Sequence, residues 1–532
     1  MPFPTRRTLR RAAALALCVA FLAPSTPPRK PAAPSGKSAL PSGRPTPAAM
    51  LTAQLKAAIA GAPAPAPGKC LEIQYEGVLE LEGHFRKPGE KQPYRSRQRF
   101  LANGNGAVRL DWTTWIQGDS TGAPESWLLL PSGIGGTLLH RSAPGSPWRE
   151  VGADRREQAL AQVTAGFPWE VARAAGADAA HGHARVTGGG PGGAWFLGDT
   201  RAPGSGALTL RPVDGAVISY MTTKPHPRLG DVRDGVLYAY GEPGSVPTEM
   251  RQIVHERDMQ WSMAERRVSF RTDAPDSLSS PAAYDPPEPA DSMRADVKLA
   301  PLAPGLWSAD MDDLDTRTVV VEFADKLAVL EAAVGSENGE RIADAARRQF
   351  PNKPIRYFLF SHYHPHYAGG LRAFVAEGAT VVTTPGNEHF VRQMADLDFT
   401  LRPDRLARAK RPLSLQTFAK RFELADSTNR LVAVNIGPRS DHTNEFVVFW
   451  LPKQRMLFET EQGWVTVDGK TRASRRAERF LKALDDEGLA ADRIVQSWPM
   501  RGNPAMLTRV ELDSLVTLRG RTLPQATAGA RP

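Results

Sequence analysis

The stretch Phe358–Phe374, FLFSHYHPHYAGGLRAF, places three histidines at every second position directly after an apolar, strand-like run. His362, His364 and His366 are followed by a glycine pair that leads into a predicted helix. Loops that follow strand ends are where α/β folds place their chemistry. Imidazoles at positions i and i+2 of an extended loop can converge on one ion, and zinc binds imidazole nitrogen at about 2.0 Å. The stretch therefore predicts a metal site on a strand-to-helix loop.

The residues around this loop alternate between strand and helix patterns. TRTVVVEF (316–323) and EFVVFWL (445–451) are predicted strands, and GERIADAARRQF (339–350) is a predicted helix. Such alternation is typical of an α/β layered fold. His442 follows another predicted strand, so four of the chain's eleven histidines fall in two short loops. This clustering favours a metal site over unrelated surface histidines.

These motifs resemble the metallo-β-lactamase superfamily, whose signature loop reads His-x-His-x-Asp-His followed by Gly-Gly. The likeness runs from about Val297 to Val516 and includes FPNKPIRYFLFSHYH, AGGLRAFVAEGATVVTT, LAVLEAA and FVVFWLPKQRMLFETE. The resemblance implies an αββα sandwich for residues 295–520, with the metal at one edge of the two sheets. It also implies metal-assisted hydrolysis as the class of reaction.

Matched to the family's pattern, three residues take the places of the first metal's ligands: His362, His364 and His442. The second metal's positions depart from the pattern: His366 stands at the motif aspartate, Tyr367 at the motif histidine, Glu461 at the bridging aspartate and Trp498-Pro499 at the late His-Gly. Indole offers no lone pair to an ion. A phenol with a pKa of about 10 is a poor ligand at neutral pH. We therefore expect one zinc or similar divalent ion per chain.

The candidate catalytic residues come from these altered positions. A three-histidine zinc site with an open fourth position lowers the pKa of bound water to about 7. Glu461 and Tyr367 are the candidates for a base or proton donor, and His366 for a substitute ligand or proton shuttle. The altered positions also fit a non-catalytic binding or scaffold protein of the cell envelope that keeps the fold. The sequence leaves both alternatives open, and the bond that would be hydrolysed as well.

Four other polar residues are weaker candidates for a functional site. His181 and His183 share the i, i+2 spacing but lie in a Gly-rich segment, so we expect a solvated loop there. His389 lies on a predicted helix as a surface or packing residue. Asp441 neighbours His442 and is either a carboxylate that orients it or an exposed loop residue.

The first half of the chain has a different pattern. Residues 68–272 alternate apolar and polar residues between Asn-Gly and Pro-Gly turns, which predicts a β-rich domain with a helical insert. Residues 25–67 are rich in Pro and Ala and are predicted as a flexible lead with one short helical stretch. Residues 273–294 are predicted as a linker, and residues 521–532 as a disordered tail. The β-rich segment has a faint likeness to lipoprotein-carrier half-barrels.

The amino terminus is typical of an exported protein. Four arginines precede an apolar run from Ala12 to Ala23, which predicts a signal peptide over residues 1–24, of ordinary or twin-arginine type. We expect a periplasmic or secreted protein. The net charge is +10, but the basic residues are dispersed and no nucleic-acid motif accompanies them. The expected partner is a small-molecule substrate or ligand, with possible association with the envelope.

Overall fold

The computed structural model describes residues 46–520, apart from 83–84, 117–121, 123, 132–135, 181–186, 189–193, 198–205, 242–245, 257–258, 288–295, 464–474, 501–502 and 505. The expected signal peptide, residues 25–45 of the lead, both His181 and His183, and the tail at 521–532 lie outside these residues. From Thr46 onward the chain groups as one compact unit. We call residues 46–287 the β-rich region and residues 296–520 the sandwich region. Among the described residues, no helix has the length and apolar character needed to cross a bilayer.

The described part of the β-rich region is one antiparallel sheet of thirteen strands with three helices. The strands are β1 (Lys69–Glu82), β2 (Lys91–Asn103), β3 (Val108–Ile116), β4 (Glu125–Leu130), β5 (Thr137–Arg141), β6 (Arg149–Glu150), β7 (Thr187–Gly188), β8 (Ala194–Leu197), β9 (Gly206–Leu210), β10 (Val217–His226), β11 (Gly230–Ala239), β12 (Glu249–Glu256) and β13 (Met259–Pro275). The helices are α1 (Pro47–Ala60), α2 (Ala153–Thr164) and α3 (Pro168–Ala180). The sheet order is β6-β5-β4-β3-β2-β1-β13-β12-β11-β10-β9-β8-β7, so the first and last strands pair at its centre.

The core of the β-rich region lies between one face of this sheet and the helices. Ile73 and Tyr75 of β1 alternate onto that face and are fully buried with Phe100 of β2. Helix α1 contributes Leu51 and Leu55, which are buried in the same core. This differs from the expected flexible lead: residues 47–60 are ordered because the apolar side of this helix packs into the core.

The expected linker is also partly anchored. Strand β13 extends to Pro275, and the side chain of Leu278 is buried. Asp276 accepts hydrogen bonds from the backbone N–H of Leu278 and from Asn103. The backbone carbonyl of Asp285 accepts from the N–H of Glu150 in β6, and its N–H donates to the carbonyl of Trp148 just before that strand. The described part of residues 273–294 therefore runs along the β-rich region and is held by it.

The sandwich region contains two sheets, seven α-helices and three short 3-10 helices (Pro385–Asn387, Gly437–Arg439 and Pro452–Gln454) in its described part. The first sheet is β14 (Leu299–Ala303), β15 (Leu306–Met311), β16 (Thr316–Glu322), β17 (Leu327–Leu330), β18 (Ile355–Leu359), β19 (Thr380–Thr383) and β20 (Ser414–Thr417), in chain order. The second is β21 (Arg421–Ala425), β22 (Arg430–Asn435), β23 (Val447–Leu451), β24 (Met456–Glu459), β25 (Arg493–Gln496) and β26 (Met506–Thr508). The helices are α4 (Ser336–Gln349), α5 (Pro365–Ala368), α6 (Leu371–Glu377), α7 (Glu388–Ala395), α8 (Arg405–Ala409), α9 (Arg475–Asp486) and α10 (Arg509–Gly520).

Three apolar cores separate the layers of this region. One core joins both sheets through residues such as Leu359 of β18 and Phe449 of β23. A second lies between the first sheet and its helices, where Phe358 stacks on Phe374 with ring centroids 4.5 Å apart. A third packs α9 and α10 against the second sheet. The order of layers is therefore helix, sheet, sheet, helix, which agrees with the αββα expectation.

Candidate metal centre

The histidine loop begins where β18 ends, and its local sequence shapes it. His364 has an extended backbone (φ −61°, ψ 151°) and precedes Pro365, which disfavours helical conformation in the residue before it. The proline then starts the short helix α5. A Cβ on Gly369 would lie 2.6 Å from the carbonyl oxygen of Pro365, and one on Gly370 would lie 2.8 Å from the Ala332 side chain. The glycine pair is needed because side chains here would collide with the loop itself and with the segment that follows β17.

Two other loops meet this one at the same edge of the sandwich. His442 lies between β22 and β23, in a loop where its backbone N–H donates to the hydroxyl of Ser440 at 3.0 Å. Glu461 follows β24 and has a left-handed backbone (φ 57°), which is uncommon for a residue with a side chain. Such strain persists only where the surroundings enforce it, and it is frequent at functional sites. Both sheets of the sandwich thus contribute to one group of side chains.

The atoms of this group converge closely. His442 Nε2 lies 3.1 Å from His362 Nε2 and 3.2 Å from His364 Nδ1. Glu461 Oε2 pairs with His442 Nε2 and lies 4.0 Å from His362 Nε2. One ligand atom from each of the four residues lies within 4.8 Å of the others. Among the described residues this is the one group of His, Cys, Asp and Glu side chains with such a spacing.

The donor set fits one divalent ion. Ligands about 2.0 Å from a tetrahedral zinc ion are separated from one another by about 3.3 Å, and the nitrogen–nitrogen distances from His442 to His362 and His364 are close to that value. Three imidazoles and one carboxylate are also ligands that zinc prefers. His362 and His364 are almost fully buried, whereas the side chain of His442 keeps 16% of its surface exposed. The residues present therefore suit a single, largely buried ion.

Hydrogen bonds at the outer nitrogen atoms of His364 and His362 determine which nitrogen of these two rings faces the centre. His364 Nε2 lies 3.0 Å from the carbonyl oxygen of Phe85, which can only accept, so Nε2 carries the proton and Nδ1 keeps its lone pair. His362 Nδ1 lies 3.0 Å from the hydroxyl of Ser361, which leaves Nε2 for the centre. Such outer contacts orient metal-binding imidazoles and are part of the site.

The charge states also favour a cation. Burial lowers the pKa of His362 well below its usual value, and the neighbouring histidines lower it further, so this ring is neutral at neutral pH. Burial raises the pKa of Glu461, but the hydrogen bond and charge of His442 outweigh it and bring the pKa to about 2. Burial also raises the pKa of Tyr367 well above its usual value. Its protonated hydroxyl donates to Glu461 Oε1 at 2.8 Å.

The structure places the other residues singled out from sequence as follows. His366 is half-buried, is outside the four-residue group, and has its ring 4.7 Å from that of Trp498. Asp441 forms an ion pair with Arg479 of α9, so it is a loop carboxylate that binds a helix side chain. His389 is exposed on α7. These three residues do not join the ligand group.

Two contributors were not recognised as site residues from the sequence. Glu331 follows β17 with a left-handed backbone, is fully buried, and burial raises its pKa to about 7 despite the nearby Ser361 hydroxyl. It lies in the LAVLEAA segment, so its position after a strand was the available signal. Phe85 belongs to the β1–β2 connection in the β-rich region, and no sequence pattern links it to the histidines.

Comparisons with known proteins find neither a matching family model nor a curated relative. Solved structures similar to part of the chain include the metallo-β-lactamase FIM-1 from Pseudomonas aeruginosa in its mono-zinc form, at 18% identity and a TM-score of 0.32 over 43% of this chain and 96% of that one. A metallo-β-lactamase from Pontibacter korlensis has 16% identity and a TM-score of 0.31 over 42% of this chain and 100% of that one. The sec-alkylsulfatase Pisa1 from a Pseudomonas species has 15% identity and a TM-score of 0.29 over 42% of each chain. At these identities and TM-scores, the likenesses carry no information about substrate or reaction.

Proposed function

We propose that this protein is a metal-dependent hydrolase with one divalent ion, held by His362, His364 and His442 next to Glu461. The observation that carries the proposal is the convergence of four ligand atoms from three separate loops. When bound, such an ion supplies Lewis acidity for the attack of water on a small-molecule ester, lactone, amide, sulfate or phosphate. The positions of Tyr367 and Trp498 argue against a second ion, because a protonated phenol and an indole do not bind zinc well.

The chain's own residues then manage protons and orientation. Glu461 is ionised, and Tyr367 donates to one of its oxygens, so the other oxygen faces the histidines. Arg476 lies 3.7 Å from that second oxygen and adds positive charge. Burial lowers the pKa of His366, which leaves a neutral, half-buried ring beside the centre as a candidate proton shuttle. Glu461 is the candidate base because it is the carboxylate nearest to the three rings.

Glu461 can act either as a metal ligand or as a base, and the two roles leave a different number of open positions on the metal. As a fourth ligand it would complete a tetrahedral shell, which is typical of structural zinc sites, whereas catalytic sites keep one position open. As a base it would not coordinate the metal, which the three histidines alone would bind. The Glu461→Gln variant separates these roles, because loss of the ion marks a ligand, and retention of the ion with loss of hydrolysis marks a base.

The test is elemental analysis of the full chain after purification without chelator and loading with zinc. We expect one ion per chain in the wild type, none after His362→Ala or His442→Ala, and one after His389→Ala, the exposed control. Hydrolysis of an ester and lactone panel, abolished by His364→Ala, would support the enzyme. A wild-type protein that takes up no zinc would contradict the proposal, and a zinc-loaded protein inactive on all bond classes would favour a binding protein.

We also propose that the protein is exported to the periplasm or beyond. The support is the sequence of residues 1–24, with four arginines before a short apolar run. Amino-terminal sequencing of the native protein should find a new terminus after Ala23. An intact Met1 on soluble cytoplasmic protein would contradict this part of the proposal.

A further inference from the structure

The β1–β2 connection of the β-rich region reaches the candidate metal centre. Its residues Phe85 and Arg86, which we call the hairpin tip, make four hydrogen bonds to the two loops that carry the histidines of the centre. One pair of bonds goes to Tyr363 and His364, and the other pair goes to Asn444. The centre is therefore bordered by a segment that lies about 280 residues earlier in the chain.

The contacts of Phe85 use its backbone. Its N–H donates to the hydroxyl of Tyr363 at 3.1 Å, and its carbonyl accepts from His364 Nε2 at 3.0 Å. Tyr363 is almost fully buried, with its ring against those of His364 and Phe390. The two bonds hold Tyr363 and His364, which are adjacent residues of the histidine loop, in place. They hold the ring of His364 with its Nδ1 lone pair toward His442.

The contacts of Arg86 fix the position of the loop that carries His442 and Asn444. Asn444 donates its backbone N–H to the carbonyl of Arg86 at 2.8 Å, and its side-chain oxygen accepts from Arg86 Nε at 3.0 Å. Asn444 is two residues after His442, so the position of the third histidine depends on the same loop. The hairpin tip thus bridges the two loops that must stay at a fixed distance for their imidazoles to share an ion.

We infer that the hairpin tip is a clamp that positions His364 and the His442 loop for metal binding. This inference rests on the proposed metal centre and extends it, because the β-rich region becomes part of the centre. Phe85, Tyr363, Arg86 and Asn444 are positioning residues that touch no ion. Outer hydrogen bonds to metal-binding histidines typically change metal affinity by about 10- to 100-fold. A bridge between two ligand loops also opposes their separation, which slows release of the ion.

The test measures zinc affinity and release in the full chain. Affinity is obtained by competition with a chromophoric chelator, and release by transfer of zinc to excess EDTA. Tyr363→Phe removes the acceptor for the Phe85 N–H, and we expect about tenfold weaker binding and faster release. Arg86→Ala and Asn444→Ala each remove the exposed side-chain bond, with an expected loss of about threefold. The double variant should be no weaker than either single variant, because both remove the same bond.

Lys87→Ala is the matched control, since Lys87 is the exposed neighbour of Arg86 in the same connection. It should bind zinc as the wild type does. Thermal unfolding of each metal-free variant shows whether a change in affinity comes from loss of folding. A proton–nitrogen correlation spectrum of the zinc form should show His364 with its proton on Nε2, a signature that a purely structural role of the connection would not require.

The outcomes distinguish this inference from the proposed function. A wild type with one zinc, and Tyr363→Phe and Arg86→Ala variants with unchanged affinity and release, would overturn the clamp and leave the metal centre intact. A His364 proton on Nδ1 in the zinc form would overturn it as well. A wild type without zinc would overturn the proposed function, and the clamp with it.

Discussion

Glu265 in the β-rich region and Glu461 in the sandwich region are buried to a similar extent, with 2% and 6% of their surfaces exposed. Their pKa values nevertheless shift in opposite directions. Burial raises the pKa of Glu265 to about 7, and the nearby Ser96 hydroxyl offsets only part of that shift. At Glu461 burial acts in the same direction, but His442, His364 and Tyr367 reverse it and bring the pKa to about 2. The difference lies in the partners.

This contrast separates two ways of burying polar groups. In the described part of the β-rich region, neither carboxylate oxygen of Glu265 has a hydrogen-bond partner, and neither does the buried hydroxyl of Tyr75. In the sandwich region, the hydroxyl of Tyr367 donates to Glu461, and all three guanidinium nitrogens of Arg372 donate to acceptors. An unpartnered buried group costs free energy, whereas a partnered one orders its surroundings. Both regions hold groups of both kinds, since the two carboxylate oxygens of Glu331 in the sandwich region also have no hydrogen-bond partner among the described residues and burial raises its pKa to about 7. The contrast is therefore between individual buried groups, and Glu461 at the candidate site is a partnered one.

The largest expected effect comes from breaking a partnered group. Arg372 is 2% exposed, binds Asp404 through two nitrogens at 2.6 and 3.1 Å, and donates to the carbonyl oxygens of Met394, Ala395 and Leu397. Arg372→Ala leaves the carboxylate of Asp404 buried without its cation. We expect a loss of about 3–5 kcal/mol in the free energy of unfolding, measured by denaturant titration.

The control is Arg392→Ala, which removes an exposed ion pair with Glu388 on α7. We expect a change within about 0.5 kcal/mol. Equal effects of the two variants would mean that the buried network does not contribute as its geometry suggests, and the contrast between partnered and unpartnered buried groups would weaken.

The next largest expected effect is on the pH dependence of stability and comes from the unpartnered carboxylate of Glu265. The native pKa of Glu265, about 7, lies above its usual 4.5, so the native state binds more protons than the unfolded state between these values. The resulting stability is fully present below pH 4.5 and is lost as pH rises through 7, by about 3 kcal/mol in total. Glu265→Gln should remove this contribution to the fall in the free energy of unfolding between pH 5 and pH 8, whereas the contributions of Glu331 and Glu459, whose pKa values burial also raises, should remain.

Denaturant titrations at several pH values measure this slope. Glu157→Gln on α2 is the control, because its side chain is exposed, and it should keep the slope of the wild type. A Glu265→Gln variant with the same pH dependence as the wild type would show that Glu265 is solvated or partnered in solution.

The smallest effect compares two buried tyrosines. Tyr367→Phe removes the donor to Glu461 Oε1, and we expect about 1 kcal/mol lower stability and about tenfold weaker zinc binding, with one ion per chain retained. Tyr75→Phe removes a hydroxyl without a partner among the described residues, so stability should stay the same or rise. Thermal unfolding and zinc titration of both variants provide the comparison. Equal losses in both would contradict the distinction between partnered and unpartnered groups.

Several features of the candidate site could be predicted from sequence because they depend on neighbouring residues. The i, i+2 spacing of His362 and His364 and the proline after them determine a local loop, and the structure brings both rings to one centre with His442. Glu461 could be singled out because it stands where the resembled family has its bridging aspartate. Its left-handed backbone and its contacts with Tyr367 and His442 could not be predicted, because they depend on how the three loops meet.

The long-range features were decided by tertiary structure. Alternation of apolar residues indicated strands in the β-rich region, but the pairing of β1 with β13 and the burial of α1 depend on which distant surfaces meet. The same holds for the hairpin tip at His364 and for Glu265 without a partner. Local spacing and turn residues act over a few bonds and can be read along the chain. Hydrogen bonds and burial between residues hundreds of positions apart arise only when the cores pack, because packing alone determines which groups lose water and which groups find a partner.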